Sequence, residues 1–189
     1  RLGRACHAGM SKTLPPAIER VLFSEEQIRQ RIREVARAIS ERYRGRELKL
    51  IGVLKGSIFF LTALAQEIEI PIKIDFLAIS SFSSRKATPG LVRIAKDLDD
   101  PIEGEDVLLI EDIVDTGFTT RYLLQTLAGR GPNSLSICTL LDRTTRRIVQ
   151  VPIEYRCFEI DDRFVVGFGL DYKQLYRNLE YVAVMKPEK

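Results

Sequence analysis

The chain has 189 residues, 45% of them hydrophobic and 29% charged, and a formal net charge of +3. This length suits one domain with a sizeable core, and the near balance of charge gives no indication of a nucleic-acid partner. No apolar run reaches membrane-spanning length, and no secretory signal is recognisable. The only histidine, His7, lies in the N-terminal tail, which excludes histidine-based triads and most histidine-ligated metal sites. Acid–base chemistry therefore has to come from carboxylates, lysines or tyrosines.

The three cysteines indicate a reducing compartment. Cys6, Cys138 and Cys157 are odd in number, far apart in the sequence and without zinc-site spacing. They are interpreted as free thiols, and the protein is expected in the cytoplasm. Residues 1–12 are expected to form a disordered or cloning-derived tail, and residues 13–189 a single domain.

The first regular elements are a helix, a strand and a second helix. Ser24 and Gln27 form a capping box, which predicts a helix running to about Arg44. Residues 48–54 read as a strand and residues 58–67 as the next helix. The turn between them, Lys55-Gly56-Ser57, has two interpretations. It is either an ordinary strand-to-helix turn with Ser57 as the N-cap, or an anion site made of a lysine and free backbone amides.

Residues 72–79 alternate in polarity and predict another strand. The connection that follows, residues 80–96, is long for a compact domain. It is either a mobile surface hairpin or a lid that excludes water from a reactive site, with Ser81 and Phe82 near its start.

Residues 107–120 hold the most informative pattern in the chain. Residues 107–110 form a buried strand, and the helix that follows is predicted over residues 121–127. Gly117 allows close backbone approach, and the amides at the helix N-terminus suit a phosphate. The alternative is an ordinary turn in which Asp115 or Thr116 acts as the N-cap.

Two carboxylates, Glu111 and Asp112, flank this predicted phosphate cradle. Because carboxylates repel phosphate, they are expected to bind another part of the same ligand: sugar hydroxyls, a magnesium ion or a developing positive charge. A ribose 5-phosphate with a leaving group at C1 offers all three.

Strands are also predicted over residues 135–141, 153–158 and 181–185. Arg143 follows the first of these strands, and it belongs either to a ligand site or to a solvated charge cluster with Arg146 and Arg147. Phe164 and Val166, on pattern alone, favour a core strand. Strands alternate with helices from residue 48 to 141, so the core is predicted to be a parallel α/β sheet.

The acidic pair followed by Asp115-Thr116-Gly117 and Thr119 resembles the signature of the type I phosphoribosyltransferases. Residues 164–177 resemble the purine-site segment of the bacterial hypoxanthine-guanine enzymes of that family. The resemblance covers residues 21–187. It implies the type I fold: a parallel twisted sheet flanked by helices (residues 24–160), with a small hood from residues 13–23 and 164–189. It also implies a cis peptide between Leu54 and Lys55.

The resemblance implies transfer of the 5-phosphoribosyl group from phosphoribosyl pyrophosphate to a 6-oxopurine, with Mg²⁺ as cofactor. Asp115 would be the general base at the purine N7 atom. The other implied roles can be grouped by ligand. The phosphoribosyl group would be bound by Glu111, Asp112, Asp115, Thr116, Gly117, Phe118 and Thr119. Pyrophosphate would be bound by Lys55, Gly56 and Arg177, and the purine by Arg143, Phe164, Val165 and Asp171. Magnesium would be held by Glu111 and Asp112, with Asp171 near a metal-bound water, and Ser81 and Phe82 would belong to the lid.

Two positions depart from the family pattern. Arg143 stands where 6-oxopurine enzymes usually have a lysine, and Phe82 where the lid usually has a tyrosine. The first departure keeps open a phosphoribosyltransferase for another base, such as xanthine. A second alternative is a non-catalytic regulator of the same fold that binds RNA. Neither a nucleic-acid nor a membrane partner is expected, and the family pattern indicates a homodimer or homotetramer.

Overall fold

The computed structural model describes residues 14–81 and 92–187, which form two sheets and three α-helices. In chain order the elements are β1 (Ile18–Phe23), α1 (Glu25–Arg42), β2 (Leu48–Leu54), α2 (Ser57–Glu67), β3 (Ile72–Ser81), β4 (Val92–Lys96), β5 (Asp106–Val114), α3 (Phe118–Ala128), β6 (Ser134–Arg143), a 3₁₀ turn (Thr144–Arg146), β7 (Tyr155–Ile160), β8 (Val165–Val166) and β9 (Val182–Met185). No helix in these ranges is long and apolar enough to cross a membrane.

The larger sheet has the strand order β4-β3-β2-β5-β6-β7. Strands β3, β2, β5, β6 and β7 are parallel, as predicted. Strand β4 is the exception, because it folds back antiparallel onto β3 at the edge of the sheet. The chain order reverses between β2 and β5, and the carboxyl ends of strands at such a switch point form a crevice where α/β proteins bind ligands.

Strand β5 lies at the centre of this sheet, and alternate residues contact different helical layers. Leu108 and Ile110 pack into the core cluster that contains α1 and α2. Val107 and Leu109 pack into the cluster that contains Leu123 and Leu127 of α3. This two-sided burial explains the uninterrupted apolar run in the sequence.

Helix α1 begins as the capping box predicts. The Ser24 hydroxyl accepts a hydrogen bond from the Gln27 amide, and the Gln27 side chain accepts one from the Ser24 amide. The predicted apolar stripe is buried against the sheet, and its members are Ile28, Ile32, Val35, Ala36 and Ile39.

The two ends of the described chain meet in a smaller antiparallel sheet of order β1-β9-β8. Buried residues of β8 and β9, including Val165 and Val184, join the same core cluster as α1 and α2. This packing fixes the C-terminal segment beside the main sheet and places residues 164–177 near the switch point.

Candidate active site

The turn between β5 and α3 forms one wall of a cavity of about 260 Å³ at the switch point. Gly117 is the N-cap of α3 and has a φ of 90°, a conformation that favours glycine. No side chain caps this helix, so the ordinary N-cap role considered for Asp115 or Thr116 is not observed. The first amides of a helix have no intrahelical acceptor, which leaves them available to an anion.

The structure shows a second reason for glycine at position 117. A Cβ atom there would lie 2.3 Å from the carbonyl oxygen of Val149. The glycine therefore allows close approach of another part of the chain, residues 147–151, rather than of a ligand alone. We call residues 147–151 the backing segment.

The other wall of the cavity is the turn after β2, where Gly56 lies directly against Asp112. A Cβ atom on Gly56 would be 1.6 Å from the Asp112 Oδ2 atom. The peptide between Leu54 and Lys55 is cis, as the resemblance implied. Ser57 is not the N-cap of α2: Gly56 occupies that position, and the Ser57 hydroxyl donates to the Val53 carbonyl at 2.7 Å.

Glu111 and Asp112 are two adjacent carboxylates in a poorly solvated place. Burial, together with the neighbouring Asp112 charge, raises the pKa of Glu111 well above its usual value. Burial also raises the pKa of Asp112 to about 6, against the lowering effects of the Ile113 amide and the Arg177 guanidinium. Such a pair favours the approach of a cation or of hydroxyl donors.

Asp115 and Arg143 form an ion pair beside the cradle. The Arg143 Nη1 atom donates to Asp115 Oδ2 at 3.2 Å, and its Nη2 atom donates to the Arg163 carbonyl at 2.7 Å. Arg146 approaches the same carboxylate oxygen at 3.7 Å. Two buried atoms of the pair, Asp115 Oδ1 and Arg143 Nε, have no hydrogen-bond partner among the described residues.

The backing segment holds the cradle from behind. Arg147 donates from Nε to the Asp115 carbonyl at 3.0 Å and from Nη2 to the Val114 carbonyl at 3.1 Å. It also pairs with Asp142, a buried residue that accepts from Arg156 at 2.7 Å. The side chain of Arg147 is only 9% exposed, so Arg147 does not belong to a solvated cluster.

The loop after β8 reaches back to the Gly56 turn. Gly169 packs so closely on Gly56 that a Cβ atom would lie 2.0 Å from the Gly56 carbonyl oxygen. Arg177 donates to the Gly169 carbonyl at 2.6 Å and pairs with Asp171 at 2.7 Å. Asp171 in turn accepts from the Gln174 amide at 2.8 Å.

Val165 begins β8 of the smaller sheet, and Phe164 immediately precedes this strand, where its carbonyl accepts from the Met185 amide at 3.0 Å. The Phe164 side chain is 54% exposed and meets the Tyr172 ring edge-on, with centroids 5.7 Å apart. The strand pattern alone had favoured a core position for both Phe164 and Val166. The structure buries Val166 but leaves Phe164 exposed. Val165 pairs with Val184 on one side, and its strand, β8, is at the edge of the sheet.

The structure thus brings eight of the sequence-predicted residues together around one cavity. Those that line the cavity are Lys55, Gly56, Glu111, Asp112, Asp115, Thr116, Gly117 and Thr119. Phe164 lines a different cavity, of about 670 Å³, and Phe118 is exposed and does not line the cavity at the switch point. Ser81 ends β3, and Phe82 lies outside the described residues.

Thr120 also lines the cavity but was not predicted from the sequence, and neither were the buried positions of Asp142 and Arg147. Thr120 falls within the threonine-rich start of α3 and could have been included on that ground. Nothing local in the sequence distinguishes the two adjacent arginines, although the Arg147 side chain is 9% exposed and the Arg146 side chain 50%.

The three carboxylates predicted as metal ligands do not form one ligand group. No cluster of three or more candidate ligand side chains occurs in residues 14–81 and 92–187. Both Asp171 oxygens are engaged, one by Arg177 and one by the Gln174 amide. The desolvated Glu111 and Asp112 fit Mg²⁺ better, since this ion is usually held by one or two carboxylates together with substrate oxygens.

Comparison with known proteins places the chain in a family. Residues 22–173 match the phosphoribosyl transferase domain. The hypoxanthine phosphoribosyltransferase of Salmonella typhimurium is 48% identical over 165 residues, covering 86% of this chain and 93% of that protein. The hypoxanthine-guanine phosphoribosyltransferase of Mycobacterium avium is 46% identical over 179 residues, covering 92% and 88%.

Solved structures agree with these sequence relatives. A hypoxanthine phosphoribosyltransferase from Staphylococcus aureus superposes with a TM-score of 0.86 at 42% identity, covering 90% of this chain and 93% of that one. The Trypanosoma cruzi enzyme, solved in complex with its product IMP, has a TM-score of 0.87 at 38% identity, covering 93% and 98%.

Proposed function

The chain belongs to the phosphoribosyl transferase family, and on this premise we propose that it is a purine-salvage enzyme. It transfers the 5-phosphoribosyl group of phosphoribosyl pyrophosphate to hypoxanthine or guanine, forming IMP or GMP and releasing pyrophosphate. The relatives named for this reaction share nearly half of their residues with the chain over most of its length.

The observation that carries the choice of base is a pair of buried polar atoms, Asp115 Oδ1 and Arg143 Nε, that have no hydrogen-bond partner among the described residues. Asp115 Oδ1 can accept a hydrogen bond, and Arg143 Nε can only donate one. A 6-oxopurine offers the complementary edge, an N7 proton and an O6 acceptor. Adenine carries an amino donor at C6, which would face the guanidinium with no acceptor. The site therefore favours hypoxanthine and guanine over adenine.

The two turns that line the cavity bind the phosphate groups of phosphoribosyl pyrophosphate. The amides from Asp115 to Thr119 bind the 5-phosphate at the helix N-terminus. Lys55, the Gly56 amide and Arg177 bind pyrophosphate on the other side of the cavity. The contact of Gly169 with Gly56 supports this assignment, because it brings Arg177 and the Gly56 turn to the same place.

Glu111 and Asp112 bind the ribose hydroxyls, directly or through Mg²⁺. Bound magnesium would neutralise charge on the departing pyrophosphate. The two side chains also face the ribose carbon as its bond to pyrophosphate breaks, and the negative charge of Asp112, whose pKa is about 6, stabilises the positive charge that develops there. Their poor solvation strengthens this interaction, because little water screens it.

Asp115 acts as the general base that removes the N7 proton of the purine. Its Oδ2 atom is held by Arg143, whereas its Oδ1 atom has no hydrogen-bond partner among the described residues and is the acceptor we assign to the base. Arg143 donates to O6 in the place where related enzymes use a lysine. Phe164 stacks on the purine ring, and the exposure of its side chain supports this role.

We also propose that the protein forms a homo-oligomer through one face of α2. The structure divides the apolar residues of this helix: Phe60, Leu61 and Leu64 are buried, whereas Ile58 and Phe59 are exposed. The two exposed residues line a groove of about 410 Å³ with Phe168. Light scattering on the wild type and on Phe59→Glu would test this, since a loss of mass is expected only if the face is an interface.

The buried free thiols Cys138 and Cys157 support a reducing, cytoplasmic location. The function itself is tested by identifying the products of a reaction that contains phosphoribosyl pyrophosphate, Mg²⁺ and hypoxanthine. We expect IMP and pyrophosphate in equal amounts, no AMP when adenine replaces hypoxanthine, and no reaction when EDTA removes the metal. Absence of nucleotide from both hypoxanthine and guanine would overturn the proposal.

A further inference from the structure

Arg147 holds the phosphate cradle in place, although none of the ligand-binding roles above is assigned to it. Three consecutive carbonyl groups, those of Val114, Asp115 and Thr116, all accept hydrogen bonds from the backing segment. Arg147 donates to the first two, and the amides of Ile148 and Val149 both donate to Thr116 at 3.0 Å.

Because the peptide bond is planar, these contacts to carbonyl groups also fix the direction of the amides that follow them. In a trans peptide the carbonyl of one residue and the amide of the next lie in one plane and point in opposite directions. The amides of Asp115, Thr116 and Gly117 must therefore point away from the backing segment. These three residues line the cavity that we assign to the phosphoribosyl group.

Arg147 is itself held in place. Its guanidinium pairs with Asp142, whose second oxygen is bound by Arg156 at 2.7 Å. Both Arg147 and Asp142 are buried, so solvent competes little for these bonds. A planar guanidinium can serve the carboxylate and two carbonyls at once, which an ammonium cannot do with the same geometry.

We propose that Arg147 is a positioning residue that sets the direction of the cradle amides and thereby the affinity for the phosphoribosyl substrate. It touches neither substrate nor base in this assignment, which rests on the proposed function. Its influence passes through the carbonyls of Val114 and Asp115 and falls on phosphoribosyl pyrophosphate rather than on the purine.

The test compares Arg147→Gln with a matched control, Arg31→Gln. Arg31 also donates to two backbone carbonyls, those of Arg156 and Cys157 at 2.9 and 3.0 Å, but neither it nor these two residues line the cavity. For Arg147→Gln we expect the KM for phosphoribosyl pyrophosphate to rise about tenfold or more, because two bonds from a charged donor are lost. The KM for hypoxanthine should change less than about twofold. Arg31→Gln should leave both values at those of the wild type.

A conservative variant keeps the test decisive if Arg147→Gln does not fold. Arg147→Lys retains a cation beside Asp142 but loses one of the two carbonyl contacts, so an intermediate rise in the same KM is expected. An unchanged KM for phosphoribosyl pyrophosphate in these variants would overturn the proposal. Equal rises in both KM values would also overturn it, because they would indicate a merely structural role. A wild type without any turnover would instead refute the function on which the proposal rests.

Discussion

Substituting Gly56 by alanine should damage the site through one defined contact. The Cβ atom of the introduced alanine would lie 1.6 Å from Asp112 Oδ2 and 2.6 Å from its Cγ atom. Gly56 has a φ of −61° and a ψ of −38°, which alanine adopts freely, so the backbone adds no strain. The Asp112 carboxylate must therefore retreat by about 2 Å to restore van der Waals contact.

The size of the effect follows from this displacement. Misplacing a catalytic group by about 1 Å costs roughly 100-fold in rate, which corresponds to about 2.7 kcal/mol. We expect kcat/KM for phosphoribosyl pyrophosphate to fall by about that factor or more, measured from initial rates at saturating hypoxanthine. The KM for hypoxanthine should stay within about threefold, because Arg143 and Phe164 do not contact Gly56.

Gly129→Ala is the matched control for this experiment. Gly129 also has helical dihedral angles, and a Cβ atom there would meet its nearest neighbours at 3.6 Å, an ordinary contact. This variant should retain full activity. If Gly56→Ala kept its kcat/KM within about threefold of the wild type, the reasoning from Asp112 would be refuted.

Three further substitutions test separate parts of the site. Asp115→Asn should lower kcat by about 10²–10⁴ with little change in the KM for phosphoribosyl pyrophosphate, and an undiminished kcat would remove Asp115 from the mechanism. Phe164→Ala should raise the KM for hypoxanthine about tenfold through lost stacking, while an unchanged value would contradict that contact. The pKa of Asp112 is raised to about 6, so the native state holds this proton more tightly than the unfolded chain. The associated stability is present below about pH 4 and is lost as pH rises through about 6, by roughly 3 kcal/mol at most. Asp112→Asn should therefore raise the Tm of the ligand-free protein more at about pH 7.5 than at about pH 4. Equal increases in Tm at the two pH values would contradict the raised pKa of Asp112.

The central strand, turn and helix could be predicted because their signals are local. The apolar run of β5, the carboxylates after it and Gly117 are adjacent in the sequence, and the family resemblance they indicated is confirmed by relatives of up to 48% identity among those compared. The capping box of α1 is equally local. The start of α3 was placed too late: the helix begins at Phe118 rather than Arg121, because the positive φ of Gly117 caps it without a side chain.

The contacts between distant segments could not be predicted. Nothing near Gly117 in the sequence indicates that the Val149 carbonyl lies against it. The pairing of Arg143 with Asp115 depends on β5 and β6 being neighbours, and the burial of Arg147 depends on Asp142 beneath it. The antiparallel edge strand β4 was not predicted, because residues 92–96 were interpreted as the end of the long connection after β3.

The most direct test of the account is pyrophosphate release from phosphoribosyl pyrophosphate and Mg²⁺ with hypoxanthine, guanine, xanthine, adenine and uracil in turn. We expect turnover with hypoxanthine or guanine and none with adenine or uracil, because Arg143 and Asp115 present a donor and an acceptor to a 6-oxopurine. Turnover with xanthine alone would keep the phosphate cradle and reassign the base pocket. Turnover with none of the five bases, despite binding of phosphoribosyl pyrophosphate, would contradict the account and favour a non-catalytic regulator of the same fold.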